Sequence, residues 1–300
     1  MTSAYLSAAT VDEALSALAS GARPVAGGTD LVVGARQGKA PLPESIVAID
    51  RLDDLRGVEV GDGRLRLGAL VTHAEIASDP VVLERLTALA DASAIVGSHA
   101  TRSHGTIGGN LMNASPAMEA GGPLIVLGAT VTLRSGSGER QVPVAELMTG
   151  PGTTVAAAGE LLTGVEIPLP EEGTGSAYVR LEYRRQMEIA VVGATAAVTL
   201  AGETVERAGV AITALAPTIR LVPDAAEALA GSDGGADAVR RAAQAAAAAA
   251  QPISDVRASA DYRRAMAEVV ARRALTVAVA RAGGEPVPVP ASTTVFGGAA

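Results

Sequence analysis

Apolar residues recur with a helical period over TVDEALSALAS, at Val11, Ala14, Leu15 and Leu18, which predicts a first helix. Thr10 is placed to cap it with Glu13 three residues on, and Gly21 to stop it. RPVAGG follows, and TDLVVGARQG reads as another short helix. Alternation then takes over. SIVAID (45–50) predicts a strand, and LRGVEVGDGRLRLGALV predicts two strands joined at Gly61-Asp62-Gly63. Residues 79–96 return to the helical period, with Asp79 as cap and Pro80 in the first position. After a glycine-rich stretch, IVLGATVTLRSGSGERQVPVAEL predicts a hairpin turning at SGSG, and ELLTGVEIPLP a further strand. The clearest linker is PLPEEGTG, starting at Pro168. Beyond it, residues 176–222 predict three strands, and RRAAQAAAAAAQ and DYRRAMAEVVARRALTVAVARAGG predict helices. The small alanines of the first of these suit close packing. The last stretch, VPVPASTTVFGGAA, is expected to be loose.

Composition narrows the classes of function. A chain of 300 residues suggests two or three subdomains, and 48% hydrophobic with 19% charged residues suits a globular protein. A net charge of −8 and a single Phe with no Trp argue against a nucleic-acid partner. With no cysteine, the chain can form no disulfide and cannot itself hold a thiolate-bound zinc or a cysteine-ligated iron–sulfur cluster. Its three histidines, His73, His99 and His104, are too scattered to suggest a metal site. The start shows neither a basic nor an apolar leader region, and no apolar run reaches the length of a membrane span, so a cytoplasmic protein is expected. Asp53-Asp54 and Glu171-Glu172 read as solvated turn charges, not a catalytic pair.

Two segments carry candidate chemistry. In RPVAGGTDLV, a glycine pair between a strand and a helix exposes backbone N–H groups at a helix start, the general form of an anion site. When such a pair stands alone, plain turn geometry is the more frequent explanation. In GTIGGNLMNASPAME, Gly108-Gly109 would let the backbone approach a ligand, with Thr106 and Asn110 adding hydrogen bonds. Neither segment fits G-x-G-x-x-G after a strand or G-x-x-x-x-G-K-[ST], which disfavours a Rossmann site and a P-loop. Two amide-rich loops could instead share one pyrophosphate.

AGGTDL, TIGGNLMNASPAME, ELLTGVEIP and YRRQMEIAVVGA, in this order and spacing, resemble the FAD-binding (medium) subunit of the molybdenum hydroxylases, the carbon monoxide dehydrogenase and xanthine dehydrogenase type. ASADYRRAMAEVVARRAL resembles the same family's C-terminal domain, so the likeness covers nearly the whole chain. It implies an α+β fold: a two-lobed FAD-binding domain of the PCMH type over 1–170 (lobes about 1–55 and 56–170), then a smaller α+β C-terminal domain of the CO dehydrogenase flavoprotein type over 176–285, with 286–300 as a loose tail. FAD would lie extended between the two lobes.

The resemblance also implies roles. Ala26, Gly27, Gly28, Thr29, Asp30 and Leu31 would form the first pyrophosphate loop. Thr106, Ile107, Gly108, Gly109 and Asn110 would form the second, with Gly97 as a backbone contact upstream. Glu119 stands where the family usually has an aspartate reaching the ribityl chain, and Arg180 where relatives often carry a lysine near the ring. Leu162 and Ile167 would lie against the ring or bond it through backbone amides. No covalent flavin link through His99 or His104 is implied, and Tyr183 is given no stacking role; Arg184 and Arg185 read as surface or interface charges.

In such an assembly the chain carries FAD and the partners carry the rest: a large subunit with the molybdenum cofactor and a small subunit with two [2Fe–2S] clusters, joined as a dimer of heterotrimers. Electrons would pass from the clusters to FAD and on to NAD, oxygen or a quinone. No catalytic acid–base pair is expected. A self-sufficient FAD-dependent oxidase or reductase of the same architecture is the alternative, and would turn over a donor alone. A scaffold whose glycine loops are only structural would be colourless.

Overall fold

The computed structural model describes residues 4–38 and 40–295. The first lobe is a three-stranded parallel sheet built from β1 (Ala4–Ser7), α1 (Val11–Ala19), β2 (Arg23–Val25), α2 (Leu31–Arg36) and β3 (Ser45–Ala48), in strand order β1-β3-β2. Thr10 caps α1 by accepting from the Glu13 amide at 3.2 Å, and the Glu13 carboxylate accepts from the Ala9 amide at 2.8 Å. Val11, Ala14, Leu15 and Leu18 form the buried face, packed with Val47, Ile49 and Leu55.

The second lobe opens with the hairpin β4 (Val58–Gly61) and β5 (Arg64–Gly68). Asp62 and Gly63 both take positive φ (53° and 69°), the conformation a two-residue turn between twisted strands demands. A run of short helices follows: α3 (His73–Ser78), α4 (Pro80–Arg85), α5 (Thr87–Ala94), α6 (His99–Arg102), α7 (Ile107–Asn113) and α8 (Gly121–Val126). Next come β6 (Thr130–Ser135), β7 (Gly138–Pro143), α9 (Val144–Leu147), a small hairpin β8 (Met148–Gly150) and β9 (Thr153–Thr154), and β10 (Leu161–Pro168). The main sheet runs β4-β5-β10-β6-β7, antiparallel throughout.

The single helix expected over 79–96 is two. Asp79 does cap α4, accepting from the Val81 and Val82 amides at 2.9 and 3.0 Å. The helix then breaks at Leu86 (φ −124°, ψ 46°). There Thr87 Oγ1 donates to the Ser176 carbonyl at 2.6 Å and the Ala88 amide to Ser176 Oγ at 3.0 Å. The break aims the start of α5 at a strand of the third unit.

That unit is a four-stranded antiparallel sheet, β11 (Thr174–Leu181), β12 (Val192–Ala201), β13 (Thr204–Thr213) and β14 (Arg220–Leu221). Its helices are α10 (Pro223–Leu229), α11 (Ala236–Ala248), α12 (Ala260–Ala282) and the short α13 (Ala291–Val295). Ala177, Val179, Val192, Ala194, Ala196, Val198, Val210 and Ile212 pack against these helices. Alternate positions face the second lobe: Tyr178 joins Ala88 and Ala92 of α5 and Ile95 just after it, and Ala211 joins that lobe's core. Covering both faces explains why β12 is buried over eight consecutive positions. A Cβ on Gly175 would lie 2.2 Å from the Ala282 amide, so α12 rests directly on β11.

Part of the stretch expected to be a loose tail is docked instead. Asp91 accepts from the Ala291 amide at 2.8 Å, from the Tyr178 amide at 3.1 Å and from Arg281 at 2.7 and 3.0 Å. Ser292 Oγ accepts from the Arg180 amide at 2.9 Å. The fully buried Asp91 carboxylate thus fixes the C-terminal segment to α5 and β11. Residues 296–300 lie outside the described residues. Among the described residues, no helix is long and apolar enough to cross a membrane.

Candidate functional site

The two glycine-rich segments meet. A Cβ on Gly27 would stand 1.8 Å from the His104 carbonyl oxygen, and one on Gly105 would stand 3.5 Å from Thr29 Oγ1. Only glycine permits the first approach. The segment from Ala26 to Asp30 leaves β2, turns at Gly28 (φ 67°) and enters α2 at Leu31, with no side chain capping the helix. Among the described residues, the amides of Gly27, Gly28, Thr29 and Asp30 donate to no protein acceptor. Four open N–H groups in one turn form an anion cradle.

The second segment is not a loop but the capped start of α7. Thr106 Oγ1 accepts from the Gly109 amide at 3.1 Å, and the Thr106 carbonyl from Asn110 at 2.9 Å. Ile107 and Gly108 donate to the carbonyls of Val71 and Ala69 at 2.9 and 3.0 Å. A Cβ on Gly108 would lie 2.8 Å from the Ala69 oxygen, so this glycine serves a backbone–backbone contact. Gly109, by contrast, is exposed, and a Cβ there would meet only Thr106 Oγ1 at 3.0 Å. Asn110 Oδ1 is buried without a hydrogen-bond partner. A buried amide oxygen left open is uncommon in a folded chain and fits a site completed by a donor from a ligand.

Glu119 and Arg180, 61 residues apart, are joined directly: Arg180 Nη1 donates to Glu119 Oε1. Arg180 Nε donates to Glu182 Oε2 at 2.7 Å. Burial pushes the Glu119 carboxyl up, opposed by the Arg180 charge. Burial also works against the Arg180 charge, but Glu119 and Glu182 outweigh it and hold the guanidinium above its usual range. Two residues expected as separate cofactor contacts are therefore one buried ion pair.

Leu162 and Ile167 send their side chains into the core with Leu65, Leu67, Ile107 and Leu111, which leaves the backbone of β10 as what they can offer a ligand. The register of β10 shifts between Leu162 and Gly164, and the Thr163 carbonyl there accepts from the Ala69 amide at 3.1 Å. Ala69 thus ties β10 to the start of α7. Gly97 (φ 51°) accepts from the Met187 amide at 2.8 Å, which holds the 182–190 segment over α6.

Sequence reasoning passed over two residues beneath this joint. Arg102 is buried at the end of α6, with Nη1 donating to the Val96 carbonyl at 3.0 Å and Nη2 lying 3.1 Å from His99 Nδ1. His73 is fully buried, its amide donating to the Gly105 carbonyl at 3.0 Å; burial and then Arg102 push its ring down to about 4, keeping it neutral. Arg102 carried one signal, its place a few residues before Gly108-Gly109, and His73 carried none. Among the described residues, no group of three or more His, Asp or Glu side chains could hold a metal.

A family profile described as the FAD binding domain in molybdopterin dehydrogenase matches residues 1–170, and the CO dehydrogenase flavoprotein C-terminal domain matches 177–278. The chain is 32% identical over 267 residues to the carbon monoxide dehydrogenase medium chain of Hydrogenophaga pseudoflava, spanning 89% of this chain and 92% of the relative. It is 31% identical over 284 residues to the 6-hydroxypseudooxynicotine dehydrogenase complex subunit alpha of Paenarthrobacter nicotinovorans, spanning 93% and 95%. A chain of the solved Hydrogenophaga pseudoflava carbon monoxide dehydrogenase that lacks the Mo-pyranopterin moiety superposes with a TM-score of 0.89 at 31% identity, over 94% of this chain and 98% of that one. Quinoline 2-oxidoreductase from Pseudomonas putida 86 gives 0.88 at 28% identity, over 94% and 98%.

Proposed function

Because the chain belongs to the family of FAD-binding medium subunits of the molybdenum hydroxylases, we propose that it takes electrons from [2Fe–2S] clusters on a partner chain and passes them from FAD to an external acceptor. The observation that carries this reading is the joint of the two glycine segments, one with four open amides and the other with the unpartnered Asn110 Oδ1. Bound FAD would supply the exchange between single-electron carriers and a two-electron acceptor.

The protein's own residues bind and orient. The amides of Gly27, Gly28, Thr29 and Asp30 would hold the pyrophosphate, with Ala26 and Leu31 framing that turn. Thr106, Ile107, Gly108 and Gly109 would set the opposite wall, with Asn110 accepting from the ligand. Gly97 and the backbone at Leu162 and Ile167 would border the ring. The Glu119–Arg180 pair would set a buried dipole next to it, with the Arg180 charge opposing the rise that burial imposes on the Glu119 carboxyl. The absence of cysteine supports clusters on another chain. The partners in this reading are a large molybdenum-cofactor subunit and a small iron–sulfur subunit, assembled as a dimer of heterotrimers in the cytoplasm.

Purification of the chain with the products of its neighbouring genes tests the proposal. Expected is a complex with stoichiometric FAD, molybdenum and iron–sulfur clusters, in which the complex's substrate bleaches the flavin absorption. A chain that turns over a donor alone, or never binds FAD, would sink it.

A further inference from the structure

Arg102 is a buried cation that no anion among the described residues answers. Its partners are the Val96 carbonyl and the His99 ring, and among the described residues no carboxylate pairs with it. Arg180, the charge that acts on Arg102, is itself engaged with Glu119 and Glu182. Burial, then the Arg180 charge, push the Arg102 pKa down, and His73 beside it is held neutral. A guanidinium does not shed its proton in a protein, so it cannot escape burial by becoming neutral. An uncompensated buried charge is costly. Arg102 stands two residues before His104, whose carbonyl packs on Gly27, and four before the α7 cap, Thr106.

We infer that Arg102 is a cofactor-facing cation whose guanidinium takes its counter-charge from an anionic group of bound FAD. This rests on the FAD reading above. The anion is either the pyrophosphate or the flavin ring after reduction, and both present an anionic oxygen or nitrogen that a guanidinium binds with charge-assisted hydrogen bonds.

The test compares the full-length protein with R102Q and R102K, measuring FAD and ADP affinity, the flavin midpoint potential, and the Tm of the FAD-free form. Removing an unanswered buried charge should leave the FAD-free Tm of R102Q unchanged or raised. If the pyrophosphate is the anion, R102Q weakens FAD and ADP alike by about tenfold to a hundredfold, with R102K intermediate. If the reduced ring is the anion, oxidised FAD binds nearly as before and the potential of R102Q moves negative. Either result supports the inference. It is overturned if R102Q lowers the FAD-free Tm while affinity and potential stay as in the parent. A parent protein that binds no FAD would instead bring down the functional reading on which the inference stands.

Discussion

At the first glycine pair, Gly27-Gly28, successive amides stay open; at the second, Gly108-Gly109, every amide from Ile107 to Asn110 is spent inside the protein. The dipeptides are identical and the helices that follow are both short. The difference lies in what stands behind each turn. Nothing caps α2, whereas Thr106 caps α7 and the Val71 and Ala69 carbonyls take its next two donors. The first turn thus keeps its donors open, whereas the second spends its donors on holding shape and presents one side chain, Asn110. The two segments are therefore not equivalent as amide donors, and in the proposed site the first would be the cradle and the second its wall.

The largest expected effect is at the first turn. Gly27→Val places atoms where the His104 carbonyl stands, so the two segments must part and the cradle loses its wall. FAD affinity should fall by more than about a hundredfold, the scale of several lost charge-assisted hydrogen bonds, as read by fluorescence titration. The third unit should melt unchanged. Stoichiometric FAD in this variant would remove the case for a binding role at the first turn.

Acid should act on the second turn through His73, whose amide holds the Gly105 carbonyl. The buried ring is pushed down to about 4 from an ordinary 6.5, so between those values the unfolded chain binds a proton that the folded chain refuses. The stability that the neutral ring contributes is complete above pH 6.5 and is lost as pH falls towards 4. It amounts to about 3 kcal/mol over that window. Urea unfolding at a series of pH values should show a shallower acid slope for His73→Gln than for the parent. Coincident slopes would mean that another group carries the acid sensitivity.

Much of this contrast was hidden in the sequence, for physical reasons that can be named. Local signals came through: the Thr10 and Asp79 caps, the turn at Asp62-Gly63, and AGGTDL as a strand-to-helix turn. Each is decided by neighbours a few residues away. The Leu86 break was not visible because its cause, Ser176, lies about ninety residues on. Nor was the Glu119–Arg180 pair, which set two expected cofactor contacts against one another. The occupied amides of α7 depend on carbonyls at Ala69 and Val71, and a glycine pair gives no sign of whether its N–H groups are taken. Docking of residues 291–292 depends on Asp91, which the helical period alone marks as one more polar position.

Gly108→Ala separates the two roles directly. Its new methyl would lie 2.8 Å from the Ala69 oxygen and 2.9 Å from Ala69 Cβ, and neither belongs to a side chain that can swing away. Overpacking of this kind costs about 1–3 kcal/mol, so the expected result is a lower Tm of the FAD-free chain. The molecules that remain folded should still bind FAD to within a few-fold of the parent. If affinity collapses while Tm holds, Gly108 is a ligand contact and the contrast between the turns is wrong.

The smallest expected effect isolates the cap. Thr106→Val keeps the branched shape but removes the oxygen that accepts from the Gly109 amide at 3.1 Å. Losing such a cap costs about 1 kcal/mol, and denaturant midpoints resolve a change of that size. The same substitution frees one N–H of Gly109, an exposed residue of α7. The second turn would then resemble the first by a single donor. If pyrophosphate lies against this wall, the freed amide should recover part of the lost stability once FAD is bound, so the Tm gap between Thr106→Val and the parent should narrow with saturating FAD. A gap that stays constant or widens would place the phosphates wholly on the Gly27–Asp30 side, and would make the wall a matter of shape alone.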